Sequence, residues 1–157
     1  MLLKKYSNYN LECGVDEAGR GCLAGPVTAA AVILKADFYH ELINDSKKLN
    51  ASLREKLVPI IIENCICFAV KNVSPKKIDE INILNASILA MHKCIKALNP
   101  KPDFILVDGN KFKTFKNILH KTIIKGDTKY LNIAAASILA KYYRDNYMKK
   151  IDQDFKN

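Results

Sequence analysis

The chain has 157 residues, 49% of them apolar, with 25 Lys plus Arg against 16 Asp plus Glu and a formal net charge of +9. That length and apolar share suit one globular domain, residues 1–157, able to bury a real core. No run approaches the roughly 20 apolar residues of a membrane span, and the opening MLLKKYSNYNLE lacks the apolar stretch of about 7–15 residues that marks a signal peptide, so a cytoplasmic protein is expected.

Leu11–Val15 reads as a short strand and Val27–Leu34 as an apolar run long enough for a buried one, the two pairing as a hairpin across a glycine-rich loop. From Ala51 to Asn64, Leu53, Leu57, Ile60 and Ile61 have helical spacing, although Pro59 removes one helical hydrogen bond. Cys65–Val70 reads as a strand, with Cys65 and Cys67 two apart and therefore on one face. The five cysteines form no C-x-x-C pair and no regular spacing, which argues for reduced, mostly buried thiols. Ser74-Pro75 opens a helix as N-cap and first-turn proline. The helical pattern resumes at Leu84, Ile88, Met91, Ile95 and Leu98, and Asn99-Pro100 ends it. Phe104–Val107 is a strand that delivers Asp108 at its carboxyl end, with Gly109 turning the chain; Thr122–Ile124 suggests another strand, leading to Asp127. Residues 130 to about 150 make the last long helix, with Ala134, Ala135 and Ala136 leaving room for close packing. Strands alternating with helices after an opening hairpin give an α/β domain built on a mixed β-sheet flanked by helices.

The basic charge is unevenly spread. Residues 1–90 are nearly balanced at +1, whereas residues 91–157 carry +8. Lys111, Lys113, Lys116, Lys121, Lys125 and Lys129 recur at intervals of two to five, which suits either a surface tracking a phosphate backbone or a merely solvated face. Beside an acidic cluster, nucleic acid is the better reading.

That cluster begins in CGVDEAGRGCLAGPVTAAAVIL, where adjacent carboxylates Asp16 and Glu17 precede Gly19-Arg20-Gly21. Neighbouring ionised carboxylates repel unless a cation sits between them, so such a pair against an apolar run points to a metal site. The glycines would let the backbone approach a phosphate or sugar; an exposed turn between two strands is the plainer alternative. Phosphodiester hydrolysis suits the set. Two divalent ions about 4 Å apart activate a water, take up charge on the phosphoryl group and stabilise the leaving oxygen. Magnesium and manganese take hard oxygen ligands, so Asp16, Glu17, Asp108 and Asp127 are the candidates. His40, His92 and His120 share no ligand spacing, which disfavours zinc.

The segment resembles the N-terminal motif of the ribonuclease HII family, the type 2 ribonucleases H. Further matching stretches follow in order: Asp45-Ser46-Lys47-Lys48-Leu49, Leu106–Asn110, Lys125-Gly126-Asp127, and Ala136–Lys141 followed by Arg144-Asp145. The resemblance implies a ribonuclease H-like fold and an active site of Asp16, Glu17, Asp108 and Asp127 binding Mn²⁺ or Mg²⁺. It implies that Gly19, Arg20 and Gly21 contact the ribonucleotide at an RNA–DNA junction, where a close backbone approach can reach the 2′-OH. The implied reaction is endonucleolytic cleavage 5′ of a ribonucleotide, leaving 3′-OH and 5′-phosphate ends, on RNA/DNA hybrids and on duplex DNA with embedded ribonucleotides. Lys47 and Lys48, in a Ser-Lys-Lys turn ahead of a helix, have two readings, a phosphate contact or a solvated loop, and the match to the family's motif favours the phosphate. Lys129, Ser137 and Lys141 are weaker candidates, the last two for contacting the substrate backbone or buttressing Asp127, and Arg144 with Asp145 for a structural ion pair or cap.

Family members usually continue into a tail with Tyr-Gly-Phe and His-Lys-Gly-Tyr stretches, one tyrosine of which stacks on the sugar beside the junction. The sequence given ends at Asp152–Asn157, and no residue is assigned to that tyrosine; Tyr142, Tyr143 and Tyr147 are expected as packing residues of the helix. Three alternatives stand beside the enzyme reading. A short form of the same fold could bind duplex without cutting; a dinucleotide-binding domain would need G-x-G-x-x-G, which Gly19, Gly21 and Gly25 miss by one residue; another metal-dependent nuclease or phosphotransferase would share the acids but not the junction preference. A monomer is expected, and no protein partner is indicated.

Overall fold

The apolar run Val27–Leu34 forms β2 and lies antiparallel to β1, Glu12–Ala18, with Asp16 opposite Ala30 and Ala18 opposite Thr28. The expected hairpin is present. β1 continues past Val15, so Asp16 and Glu17 belong to the strand itself rather than to the loop after it. The structure, a computed structural model, describes residues 1–21, 24–43 and 48–156, the side chains of 155 and 156 excepted. The phosphate contact expected at Lys47, with Asp45 and Ser46, lies outside the described residues.

Five strands form one mixed sheet in the order β3-β2-β1-β4-β5, adding β3 (Cys65–Val73), β4 (Phe104–Asp108) and β5 (Leu119–Ile123). β1 to β3 are antiparallel, whereas β4 runs parallel to β1 and β5 parallel to β4. β5 starts and ends earlier than the expected Thr122–Ile124, because pairing with β4 sets its limits: Phe104 faces Leu119 and Asp108 faces Ile123. As an edge strand with Leu119 exposed, β5 carries no continuous apolar signal. Cys65 and Cys67 also depart from expectation. The register slips opposite Ile33 and Leu34, which face Cys67 and Cys65 and leave Ile66 as the extra residue of a bulge. Cys67 therefore packs against the core on one face of the sheet and Cys65 against the core on the other. The four described cysteines are free thiols, Cys13 and Cys94 buried.

Helix α1 (Ala51–Glu63) is capped by Asn50, whose side chain accepts the Leu53 N–H at 2.8 Å, and it continues through Pro59. Helix α2 (Pro75–Ile81) opens as expected, with Ser74 Oγ accepting from the Lys77 N–H. Asn82 ends it at φ 71° and caps α3 (Ile83–Ala97) by accepting the Asn85 N–H. Helix α4 (Leu131–Lys156) extends about two turns beyond the expected end near residue 150. α3 covers one face of the sheet, burying Cys13, Val15, Ala29, Met91, Ile95 and Val107, and α1 with α4 covers the other. Ala134, Ala135 and Ala136 are fully buried, as close packing of α4 on the sheet requires. Burial on both faces explains the unbroken apolar run of β2. Among the described residues no helix is long and apolar enough to cross a membrane.

Candidate active site

β1 and β4 lie side by side and parallel, with Val15 opposite Val107, so the next residues, Asp16 and Asp108, stand at one level on neighbouring strands. That is the carboxyl end of the parallel pair, the usual site end of an α/β sheet. Asp16 is almost completely buried, at 5% exposure, and Asp108 is half-buried at the last position of β4. A short 3₁₀ turn, Gly126–Thr128, brings the buried Asp127 beside them. Its first residue donates a backbone N–H to Asp108 Oδ1 at 2.6 Å. Glu17, next to Asp16, faces Arg20, whose Nη1 lies 3.7 Å from Glu17 Oε1.

Burial is the largest influence on three of these acids and pushes each carboxyl above its ordinary range. For Asp16 the rise is strong, and the charges of Asp108 and Glu17 add to it; the Glu17 N–H, donating at 2.8 Å, and the Ser137 hydroxyl oppose it. Glu17 is raised by burial, with hydrogen bonding to Asp16 and the Arg20 charge working against it and Asp108 adding to the rise. Asp108 is raised by burial and by the charge of Asp127, against which the N–H groups of Gly126 and Asp127 and a hydrogen bond with Asp16 act. The four acids thus form one electrostatic unit linked by hydrogen bonds and mutual repulsion.

Do these residues fit a divalent cation? Their donor atoms are all hard carboxylate oxygens, the set that magnesium and manganese prefer. Glu17 Oε2 is buried without a hydrogen-bond partner, a costly state that a cation would relieve. Among the described residues no group of three or more His, Cys, Asp or Glu side chains already has the geometry of a metal cage. Repelling carboxyls that share protons have no reason to converge until a positive charge draws them together. The donor chemistry fits the ion, and a cation would offset the repulsion between the carboxylates.

Around this cluster the other candidates separate. Gly19, Arg20 and Gly21 follow β1 directly, and among the described residues a side chain at Gly21 would meet nothing within 4 Å, which leaves that backbone open to a ligand. Lys48 is exposed on the turn before α1. Lys111, Lys113, Lys116, Lys121, Lys125 and Lys129 are all exposed, on the β4–β5 connection, on β5 and on the turn holding Asp127. Lys129 Nζ donates to the Ile124 carbonyl at 3.0 Å. None of the three histidines joins the acids; His92 and His120 flank Phe112 instead.

The candidates on α4 separate as well. Ser137 is buried at 1% exposure and hydrogen-bonds Asp16, so it does not reach a substrate backbone. The structural roles expected of Arg144 and Asp145 are met with separate partners, because consecutive helical residues point about 100° apart. Asp145 accepts from Arg54 at 3.2 Å, whereas Arg144 donates to the main-chain oxygens of Ala24 and Pro26. Tyr142 and Tyr143 pack edge-on beside the core, but Tyr147 is exposed. The sequence held a signal for Arg144: it lies seven residues beyond Ser137, on the same face of the helix.

The family model for ribonuclease HII matches residues 13–157. The ribonuclease HII of Bacteroides fragilis is 56% identical over 155 residues, covering 99% of this chain and 77% of its own length. That of Porphyromonas gingivalis is 56% identical over 156 residues, with 99% and 78% covered. Among solved structures, ribonuclease H2 from Pyrococcus horikoshii superimposes with a TM-score of 0.81 at 30% identity, over 92% of this chain and 76% of that one. A family model spanning the stretch that holds all four acids, together with relatives more than half identical along nearly the whole sequence, establishes that this chain belongs to the ribonuclease HII family.

Proposed function

We propose that this ribonuclease H cuts the RNA strand of RNA/DNA hybrids and nicks duplex DNA on the 5′ side of single embedded ribonucleotides, leaving 3′-OH and 5′-phosphate ends. Asp16, Glu17, Asp108 and Asp127 would hold Mn²⁺ or Mg²⁺. Bound there, divalent cations supply an activated water and a sink for the charge that builds on the transferring phosphoryl group. The observation that carries the reading is the burial of Asp16 and Glu17 beside Asp108, with their carboxyls raised and Glu17 Oε2 unsatisfied. Such an arrangement is unfavourable without a cation and useful with one.

The remaining roles follow from what each residue can reach. Ser137 and the Glu17 N–H hold the Asp16 carboxylate, and the Gly126 N–H holds that of Asp108, so both ligands keep one orientation. Arg20, with 45% of its side chain exposed, can swing from Glu17 to a phosphate. The open backbone at Gly21 can approach a ribose closely enough to test for a 2′-OH. Lys48 and the exposed lysines from Lys111 to Lys129 would take neighbouring phosphates and draw the duplex in by charge. The free thiols accord with a reducing, cytoplasmic setting.

Product ends test the reaction. Fragments from a uniform RNA/DNA hybrid should be extended by a polymerase and joined by a ligase without prior treatment, which requires 3′-OH and 5′-phosphate groups. Fragments that need phosphatase treatment before extension would contradict the proposed chemistry.

A further inference from the structure

We infer that Arg144 is the positioning residue of the Gly19–Gly21 loop and, through it, of ribonucleotide recognition; this rests on the function proposed above. Arg144 is 8% exposed, and its guanidinium lies between the two ends of the β1–β2 connection. Nε donates to the Pro26 carbonyl at 3.0 Å and Nη2 to the Ala24 carbonyl at 2.9 Å. Among the described residues no carboxylate lies within salt-bridge range of it. Burying a guanidinium on neutral carbonyls is costly, and it is retained here where its planar fork fits two acceptors of one loop.

Both ends of that loop are shaped around it. Gly19 and Gly25 have φ of 100° and 90°, which other residues rarely adopt. A Cβ at Gly19 would overlap Arg144 Nε, and one at Gly25 would stand 3.1 Å from Nη2 and 2.5 Å from Met148 Sδ. At Gly21, by contrast, a Cβ would meet nothing within 4 Å among the described residues. Both ends are clamped, and Gly21 stays clear of the clamp. Since Gly19 adjoins Arg20, and Arg20 faces Glu17, the clamp sets where the reading loop stands relative to the carboxylates. Arg144 bonds the loop carbonyls and none of the four acids, so it should act on substrate affinity rather than on the chemical step.

Steady-state nicking of a duplex with one embedded ribonucleotide, measured in Mn²⁺ for wild type, Arg144→Ala and Arg144→Lys, tests the clamp. KM should rise about tenfold in Arg144→Ala and less in Arg144→Lys, which can still reach one carbonyl, with kcat within about threefold of wild type. The Mn²⁺-induced shift in thermal midpoint should match wild type in both. Wild-type KM in both variants overturns the inference, as does a fall in kcat and in Mn²⁺ response at unchanged KM. Should Arg144→Ala fail to fold, Arg144→Lys decides by the same KM criterion. A wild-type protein that does not nick overturns the proposed function, and the clamp's role with it, before any variant is compared.

Discussion

The N–H of Gly126 donates to Asp108 Oδ1 across 2.6 Å, joining the end of β4 to the turn that carries Asp127. Two acids 19 residues apart in sequence are thereby held side by side, the Asp108 carboxylate gripping the backbone of the turn that carries Asp127. A Cβ on residue 126 would stand 3.3 Å from Asp108 Oδ1 and 2.5 Å from the buried Ile133 Cδ1. Gly126→Ala should therefore overpack the junction of the turn with α4, at a cost of about 1–3 kcal/mol, and weaken Mn²⁺ binding by displacing both acids. Thermal unfolding with and without Mn²⁺ checks both effects; an unchanged midpoint and Mn²⁺ response would remove the junction from the account.

Asp108→Asn removes one ligand charge without changing shape, so nicking should be abolished while duplex binding persists. Stability in EDTA should move the other way. The carboxyls of Asp16, Glu17 and Asp108 are neutral in both folded and unfolded chains only below about pH 3. As pH rises through their elevated folded values, the folded state must ionise buried groups that the unfolded chain ionised earlier, so stability falls. Asparagine escapes that loss. In EDTA the wild-type midpoint should drop between pH 5 and pH 8, and Asp108→Asn should drop less; a wild type that grows more stable over that range refutes the electrostatic reading. Added Mn²⁺ should raise the wild-type midpoint more at pH 8 than at pH 5, where protons compete for the same oxygens.

The Arg54–Asp145 pair ties α1 to α4 at 3.2 Å, with Asp145 47% exposed. Solvent and salt screen a pair of this kind, so Asp145→Asn should cost at most about 1 kcal/mol and leave kcat unaltered. A large loss of activity at wild-type stability would give Asp145 a role in the site that its position does not suggest.

Lys111 and Lys121 are exposed beyond β4 and on β5. If each meets a phosphate, replacing either with alanine should weaken duplex binding for any sequence and reduce the slope of log K against log salt by about 0.9. An unchanged slope would return that lysine to a solvated surface.

Much of this was legible in the sequence because the strongest signals were local. The apolar run of β2 and the Ser74-Pro75 cap each depend on neighbouring residues, and both elements begin where the pattern places them. Asp108 was placed correctly because an apolar strand followed by glycine leaves a side chain at a sheet end. What failed depended on partners distant in the chain. The bulge that turns Cys65 away from Cys67 arises from pairing with β2, and the limits of β5 from pairing with β4. Ser137 and Arg144 were visible on one helical face, but nothing local says that the first supports Asp16 and the second the loop after β1.

The central claim is a metal-dependent cut directed by a ribonucleotide. An end-labelled DNA duplex with one embedded ribonucleotide, incubated with Mn²⁺, Mg²⁺ or EDTA beside an all-DNA control, tests it most directly. A single nick immediately 5′ of the ribonucleotide, present with a divalent ion and absent in EDTA and in the control, is the predicted result. Binding of the duplex with no nick in either metal, or equal cutting of the all-DNA control, would contradict it.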